Sequence, residues 1–198
     1  MSINNHMSKP IAIFDLDDTL INLKEELYRS LHERYGKDKV PHWSLWEYFN
    51  IEKLIGISEA DLIKTSIDDE TFRKIQPHLF SQYLLKDLHE RGFHIIILTA
   101  RDGFVPNAYR ETAEYLTKHD LYYDELIVSK VGGNKVDYLG HYDTINFVVD
   151  DSTKNCRQFA ESGKFEHVFL HALPHNKSCN EFIRLHNLYQ LYPHIGLV

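Results

Sequence analysis

The stretch Ile11-Ala12-Ile13-Phe14-Asp15-Leu16-Asp17-Asp18-Thr19 decides the reading of this chain. A run of apolar residues too short for a free-standing helix meets three acids and a hydroxyl. Short runs rich in β-branched residues form the buried strands of parallel sheets. In such sheets ligands bind beyond the carboxyl ends of the strands, so Asp15 and Asp17 are expected where a substrate would sit.

The same punctuation recurs along the sequence. Apolar runs at 93–98, 126–128, 145–149 and 167–170 predict further strands. Helical patterns cover 81–91, 109–119 and 153–162, with Gly92 and Gly163 as C-terminal stops. Strands alternating with helices imply right-handed crossovers and a Rossmann-like, three-layer α/β/α domain around a parallel sheet. The interval between the first two strands is far longer than one crossover needs. It holds helical patterns at 23–35, 58–66 and 69–75 and an aromatic-rich stretch at 43–54. We therefore expect a helical cap over residues 20–78, inserted into an α/β core of residues 10–19 and 79–198, with 1–9 as a disordered leader.

The fourth strand repeats the acidic ending in Val148-Val149-Asp150-Asp151-Ser152. Two carboxylates 4 Å apart repel by about 4 kcal/mol at an effective dielectric near 20, so converging acids need a cation or a shared proton. Oxygen-only ligands suit Mg²⁺, which takes one or two carboxylates and completes its shell with water and substrate phosphate. For one acid alone, capping of the following helix is the simpler account, and Asp151 or Ser152 would serve. Two acidic strand ends in one chain favour the metal.

The second strand ends in Ile97-Leu98-Thr99-Ala100-Arg101, where a hydroxyl and the following backbone amides at a strand–helix junction would cradle phosphate. Capping by Thr99 is the alternative. After the third strand come Lys130 and Gly132-Gly133-Asn134-Lys135. A lysine reaching the acids would offset repulsion between a carboxylate nucleophile and phosphate.

Bulk properties bound the function. With 198 residues, 43% hydrophobic and 26% charged, the chain suits one globular domain with an insertion. A net charge of −7 counts against stable nucleic-acid binding. No apolar run reaches the roughly 18–20 residues of a membrane span. Cys156 and Cys179 show neither zinc-ligand spacing nor a disulfide framework, which fits reduced thiols in the cytoplasm.

Taken together, the four strand ends resemble the four motifs of the haloacid dehalogenase superfamily, in the family's order. The resemblance implies that Asp15 is the nucleophile, Asp17 the general acid and base, and Thr99 a ligand of the transferring phosphoryl group. It makes Lys135, or alternatively Lys130, the positive charge. It assigns Mg²⁺ to Asp15, Asp151 and the Asp17 carbonyl, with Asp150 behind them or as an alternate ligand. Superfamily dehalogenases lack the second aspartate of the first motif, so its presence implies a phosphatase.

Within the superfamily the chain looks most like the 5'(3')-deoxyribonucleotidases. The early cap, the Asp150-Asp151 pair and the segment Phe169-Leu170-His171-Ala172-Leu173-Pro174-His175-Asn176 carry that likeness. Asp18 departs from it, standing where the group usually has Gly, and so does Ala100-Arg101. The Arg101 segment is similar to the phosphatase domain of phage polynucleotide kinases. A small phosphorylated substrate, most simply a nucleoside monophosphate, is therefore expected. The alternatives are a polynucleotide 3'-phosphatase, another small-molecule phosphatase, or a non-catalytic protein on the same scaffold.

Trp43, Trp46, Tyr48 and Phe49 are candidates for stacking a base, Trp46 and Phe49 foremost, with a role in the cap's own core as the alternative. Ala100 and Arg101 would bind phosphate, unless Arg101 pairs with an acid such as Asp102. His171, His175 and Asn176 are expected on the surface, with support of the site's rim as the alternative. The sequence leaves the oligomeric state open and is compatible with a homodimer.

Overall fold

A computed structural model describes residues 9–36, 38–46, 53, 55–68 and 70–197. Six parallel strands form one sheet in the order β3-β2-β1-β4-β5-β6. They are β1 (Ile11–Phe14), β2 (His94–Asp102), β3 (Glu125–Lys130), β4 (Ile145–Asp150), β5 (Phe165–His171) and β6 (Ile183–Leu185). The order reverses between β1 and β4, which pair in register from Ala12↔Phe147 to Phe14↔Val149. That reversal opens the crevice in which doubly wound sheets bind ligands.

Alternation along β1 explains how it is buried on both faces. Ala12 and Phe14 join Ile95, Ile97, Phe147, Val149 and Phe169 in one core layer. Ile13 points the other way, into a layer with Ile96, Leu98, Val148 and Phe159. The first layer is covered by α4 (Ser81–Glu90), through Leu84, Leu85 and Leu88, and by α5 (Ala108–Lys118), through Tyr115 and Leu116. The second is covered by α6 (Thr153–Glu161), through Phe159.

Between β1 and β2 lie α1 (Leu23–Tyr35), a 3-10 turn at Trp43–Leu45, α2 (Glu59–Asp68) and α3 (Thr71–Lys74). Leu31, Val40 and Trp46 form a small separate core there, with Tyr28, Trp43 and Ile57 packed against it. A last short helix, α7 (Leu191–His194), follows β6.

Two features depart from the sequence expectation. The sheet has a sixth strand, β6, which pairs with β5 from Phe169↔Ile183 to His171↔Leu185. The second strand, expected to end in Ile97-Leu98-Thr99-Ala100-Arg101 at a strand–helix junction, runs one residue further to Asp102 and shifts register against β3 between Thr99 and Asp102. Thr99, Ala100 and Arg101 are thus strand residues beside a bulge. A bulge re-aims the side chains of the bulged strand, and here Arg101 points inward.

Candidate active site

Asp15 follows β1 directly, and its amide donates to the Val149 carbonyl at 2.9 Å, extending the sheet by one residue. Its carboxylate therefore emerges beside the end of β4. The Asp15, Asp150 and Asp151 side chains are buried and each offers an oxygen, these lying within 4.8 Å of one another. Lys135 sits at the start of a 3-10 turn, Lys135–Leu139, whose Asn134 cap accepts from the Val136 amide. Its ammonium donates to Asp15 Oδ1 at 2.5 Å and to Asp150 Oδ2 at 2.8 Å. Lys130 is exposed at the end of β3, where its amide donates to the Tyr138 hydroxyl.

The two consecutive acids of β4 have different surroundings. Asp150 is saturated: Oδ1 accepts from the Ser152 amide and from Asn155 Nδ2, and Oδ2 accepts from Asn155 and Lys135. Asp151 Oδ2 is buried and has no hydrogen-bond donor. His175 Nε2 lies 3.3 Å from that oxygen but spends its hydrogen on the Asp151 carbonyl, at 3.1 Å. Ser152, not Asp151, caps α6, accepting from the Asn155 amide at 3.4 Å.

The electrostatics follow from burial. Burial pushes the Asp15 carboxyl well up, Lys135 opposes it, and Asp150, Asp151 and Asp17 add to the rise. Asp151 is pushed up to about 7, by burial first and Asp150 second. Burial alone would depress the Lys135 ammonium, but Asp15 and Asp150 more than offset it and hold it above its ordinary range. Lys135 faces Asp15 and Asp150, and Lys24 acts on Asp151 from the other side, so the three carboxylates are served by monovalent cations alone among the described residues. An oxygen-only set with an orphaned carboxylate oxygen suits a divalent cation, whose charge would favour the ionised acids.

Asp17 faces another partner. Arg101 donates to Asp17 Oδ1 from Nη2 at 2.6 Å and to Oδ2 from Nε at 2.8 Å, while the Thr99 hydroxyl lies 3.4 Å from Oδ2. The Arg101 side chain is 1% exposed. As a phosphate ligand it has no open surface, and its acidic partner is Asp17, not Asp102. Asp18 has φ 59°, in the left-handed region, and its Oδ1 accepts from the Lys24 amide at 2.9 Å. That conformation favours glycine and tolerates aspartate, which accounts for Asp at this position.

Residues expected on the surface prove to be buried supports. Asn176 Nδ2 donates to the carbonyls of Asp151 and His171, both at 2.8 Å. His171 Nδ1 donates to the Asp18 carbonyl at 2.8 Å. Lys24, on α1, reaches across to His175 Nδ1. Each polar tip meets a partner distant in sequence, and those bonds offset the cost of burial. Lys24 and Asn155 escaped the sequence reading. Asn155 could have been found from its place three residues after the capping Ser152, whereas nothing local marks Lys24.

Trp46 is only 2% exposed, with Nε1 donating to the Pro41 carbonyl at 3.0 Å. Its ring belongs to the core between α1 and the 3-10 turn and offers no face for a base. Ala100 is half-buried in β2. Phe49 and Tyr48 lie outside the described residues.

A family model described as 5' nucleotidase, deoxy (pyrimidine), cytosolic type C protein matches residues 9–198. The chain belongs to this family. No curated protein matches the sequence. Solved structures share the nucleotidase-family chain's fold at low identity. Protein Tyrosine Kinase A of Mycobacterium tuberculosis is 18% identical, with TM-score 0.65, covering 96% of this chain and 100% of that one. A predicted phosphatase from Clostridium acetobutylicum is 17% identical, with TM-score 0.64, covering 95% and 98%. The HAD-hydrolase YfnB of Bacillus subtilis, bound to magnesium, is 12% identical, with TM-score 0.62, covering 96% and 99%. This member of the nucleotidase family therefore has the haloacid dehalogenase fold, and its class of chemistry is that of a phosphatase. No helix among its described residues is long and apolar enough to cross a membrane.

Proposed function

We propose that the protein is a Mg²⁺-dependent phosphomonoester hydrolase working through an aspartyl phosphate on Asp15, with a deoxyribonucleoside monophosphate as substrate. The observation that carries the proposal is the buried cluster of Asp15, Asp150 and Asp151 at the sheet's reversal point, bridged by Lys135. Family membership supports the nucleotide, and the magnesium of the Bacillus subtilis neighbour supports the metal.

Asp15, Asp151 and the Asp17 carbonyl would hold the ion, and Asp150, already saturated by donors, would orient Lys135 beside it. Bound Mg²⁺ would neutralise charge shared between the nucleophile and the phosphate oxygens. An Asp15 oxygen attacks phosphorus as the bond to the leaving oxygen breaks, and Asp17, protonated on one oxygen in place of a hydrogen bond from Arg101, gives the leaving oxygen its proton. Asp17, now a carboxylate, takes a proton from water as the water's oxygen attacks the phosphorus of aspartyl phosphate. Inorganic phosphate leaves, and Asp15 is regenerated. Lys135 holds Asp15 in place and offsets charge on the incoming phosphate, and the Thr99 hydroxyl and Ala100 would bind the transferring group.

Residues 20–78 would act as the cap that selects the substrate, through surface other than Trp46, in a cytoplasmic enzyme whose two buried cysteines are free thiols. Initial rates with deoxyribonucleoside and ribonucleoside 5'- and 3'-monophosphates, sugar phosphates and a 3'-phosphorylated oligonucleotide test this reading. The expected result is preferred turnover of a deoxyribonucleotide, abolished by EDTA and restored by Mg²⁺. Fast turnover of the oligonucleotide or of a sugar phosphate beside slow nucleotide turnover would contradict the substrate assignment.

A further inference from the structure

We propose that Arg101 is the positioning residue of the proton-transfer group Asp17 and takes no part in binding phosphate; the proposal rests on the phosphatase reading above. The guanidinium is 1% exposed. Nε and Nη2 are both spent on Asp17, one on each carboxylate oxygen, and Nη1 donates to the Thr112 hydroxyl at 3.4 Å. A planar fork against a carboxylate fixes both the position and the rotation of that carboxylate, which a single hydrogen bond or a lysine would not do.

Arg101 is itself held on several sides. Its guanidinium carbon lies 5.6 Å from the centre of the Phe72 ring and 5.9 Å from that of Tyr115. Tyr115 is anchored in turn, its hydroxyl donating to the Ile75 carbonyl at 3.0 Å. Phe72 is on α3, between β1 and β2, and also meets Phe104, with ring centres 5.2 Å apart. A proton donor that is also the later base must return to one geometry between two steps with different partners. A carboxylate on a short, rotatable side chain needs an external frame for that, and Arg101, Thr112, Phe72 and Tyr115 supply it. Because Phe72 belongs to the segment joining β1 to β2, any movement of α3 against the sheet would be felt at Asp17 through one intervening side chain.

The discriminating readout is sensitivity to the leaving group. Protonation matters little when the leaving oxygen is a good nucleofuge and much when it is a poor one. The assay is kcat/KM in Mg²⁺ for a series from 4-nitrophenyl phosphate to 4-methoxyphenyl phosphate, with Arg101→Lys in the wild-type and Asp17→Asn backgrounds. Arg101→Lys should reduce kcat/KM for the 4-methoxyphenyl ester at least about tenfold more than for the 4-nitrophenyl ester. Competitive inhibition by inorganic phosphate should stay within about twofold of wild type, and the substitution should add less than about twofold in the Asp17→Asn background. A uniform fall across the series, with weaker phosphate inhibition, would make Arg101 a substrate clamp and overturn the proposal.

Should Arg101→Lys fail to fold, Thr112→Val and Phe72→Leu keep the ion pair and loosen its frame. They should shift the ratio of the two esters in the same direction by a smaller factor, and an unchanged ratio in both would overturn the proposal. A wild-type protein inactive on the whole series and on the nucleoside monophosphates alike refutes the phosphatase reading and this inference with it. An active wild type with an unaltered ratio in the variants refutes this inference alone.

Discussion

The Lys135 ammonium stands 2.5 Å from Asp15 Oδ1 and 2.8 Å from Asp150 Oδ2, joining the residue after β1 to the last residue of β4. All three side chains are buried. One cation thus ties together the two strand ends between which the sheet reverses, and its removal would strand two carboxylates in a dry site.

Lys135→Met should lower stability by about 3–5 kcal/mol, the cost of leaving buried charge without its partner. Urea denaturation of the metal-free protein checks this. Asp15→Asn in the same chain should recover part of the loss, because it removes one of the stranded carboxylates. A Lys135→Met protein as stable as wild type would show that the carboxylates do not depend on the ammonium.

Asp15→Asn alone should reduce turnover by about 10⁴-fold or more, since it removes the attacking oxygen's charge. Burial and the neighbouring acids already push the Asp15 carboxyl up, so the neutral amide is tolerated and the melting temperature should not fall. Activity within tenfold of wild type would assign the nucleophile elsewhere.

Asn176→Ala should be costly although residue 176 lies 25 residues beyond Asp151 in the sequence. Its Nδ2 serves the carbonyls of Asp151 and His171, and its Oδ1 accepts from the Leu173 amide at 3.0 Å. Losing them leaves buried backbone groups unpaired, for roughly 2–4 kcal/mol. The loop carrying Asp151 would loosen, and the Mg²⁺ concentration giving half-maximal activity should rise about tenfold. A stable variant with unchanged Mg²⁺ dependence would contradict the supporting role.

His78 gives the chain a defined acid sensitivity. Burial lowers its imidazole from 6.5 to about 4, with His171 adding to the effect. A histidine lowered on folding contributes stability above its unfolded value, and that contribution is lost as pH falls from about 6.5 toward 4. Over that window wild type should lose up to about 3 kcal/mol relative to His78→Gln. Denaturation of both proteins at pH 7.5 and pH 4.5 measures the difference, and a difference independent of pH would place a charged imidazole in the folded protein.

Much of this arrangement was legible in the sequence because local pattern encodes it. Apolar runs beside acids marked β1 and β4, and α1 spans the predicted residues 23–35. Long-range partners encode the rest. The three residues Ile183–Leu185 are too short to announce a strand and form one only by pairing with β5. Thr99-Ala100-Arg101 marks the end of β2 in the sequence, but that Arg101 turns inward to pair with Asp17 is visible only in the folded chain. His171, His175 and Asn176 carry polar side chains that suggest water, and only the folded chain brings Asp18, Lys24 and the Asp151 carbonyl to meet them. Trp46 shows the reverse limit: a string of aromatic residues does not say which rings face a ligand and which face each other.

Covalent capture of the phosphorylated protein tests the central claim most directly. The enzyme would be mixed with a phosphate monoester in Mg²⁺, quenched within milliseconds, reduced with borohydride and digested. Mass spectrometry would then locate any acyl phosphate as the homoserine it becomes. Conversion at position 15, absent from Asp15→Asn, is the predicted result; conversion at another carboxylate, or none at all during rapid turnover, would contradict it.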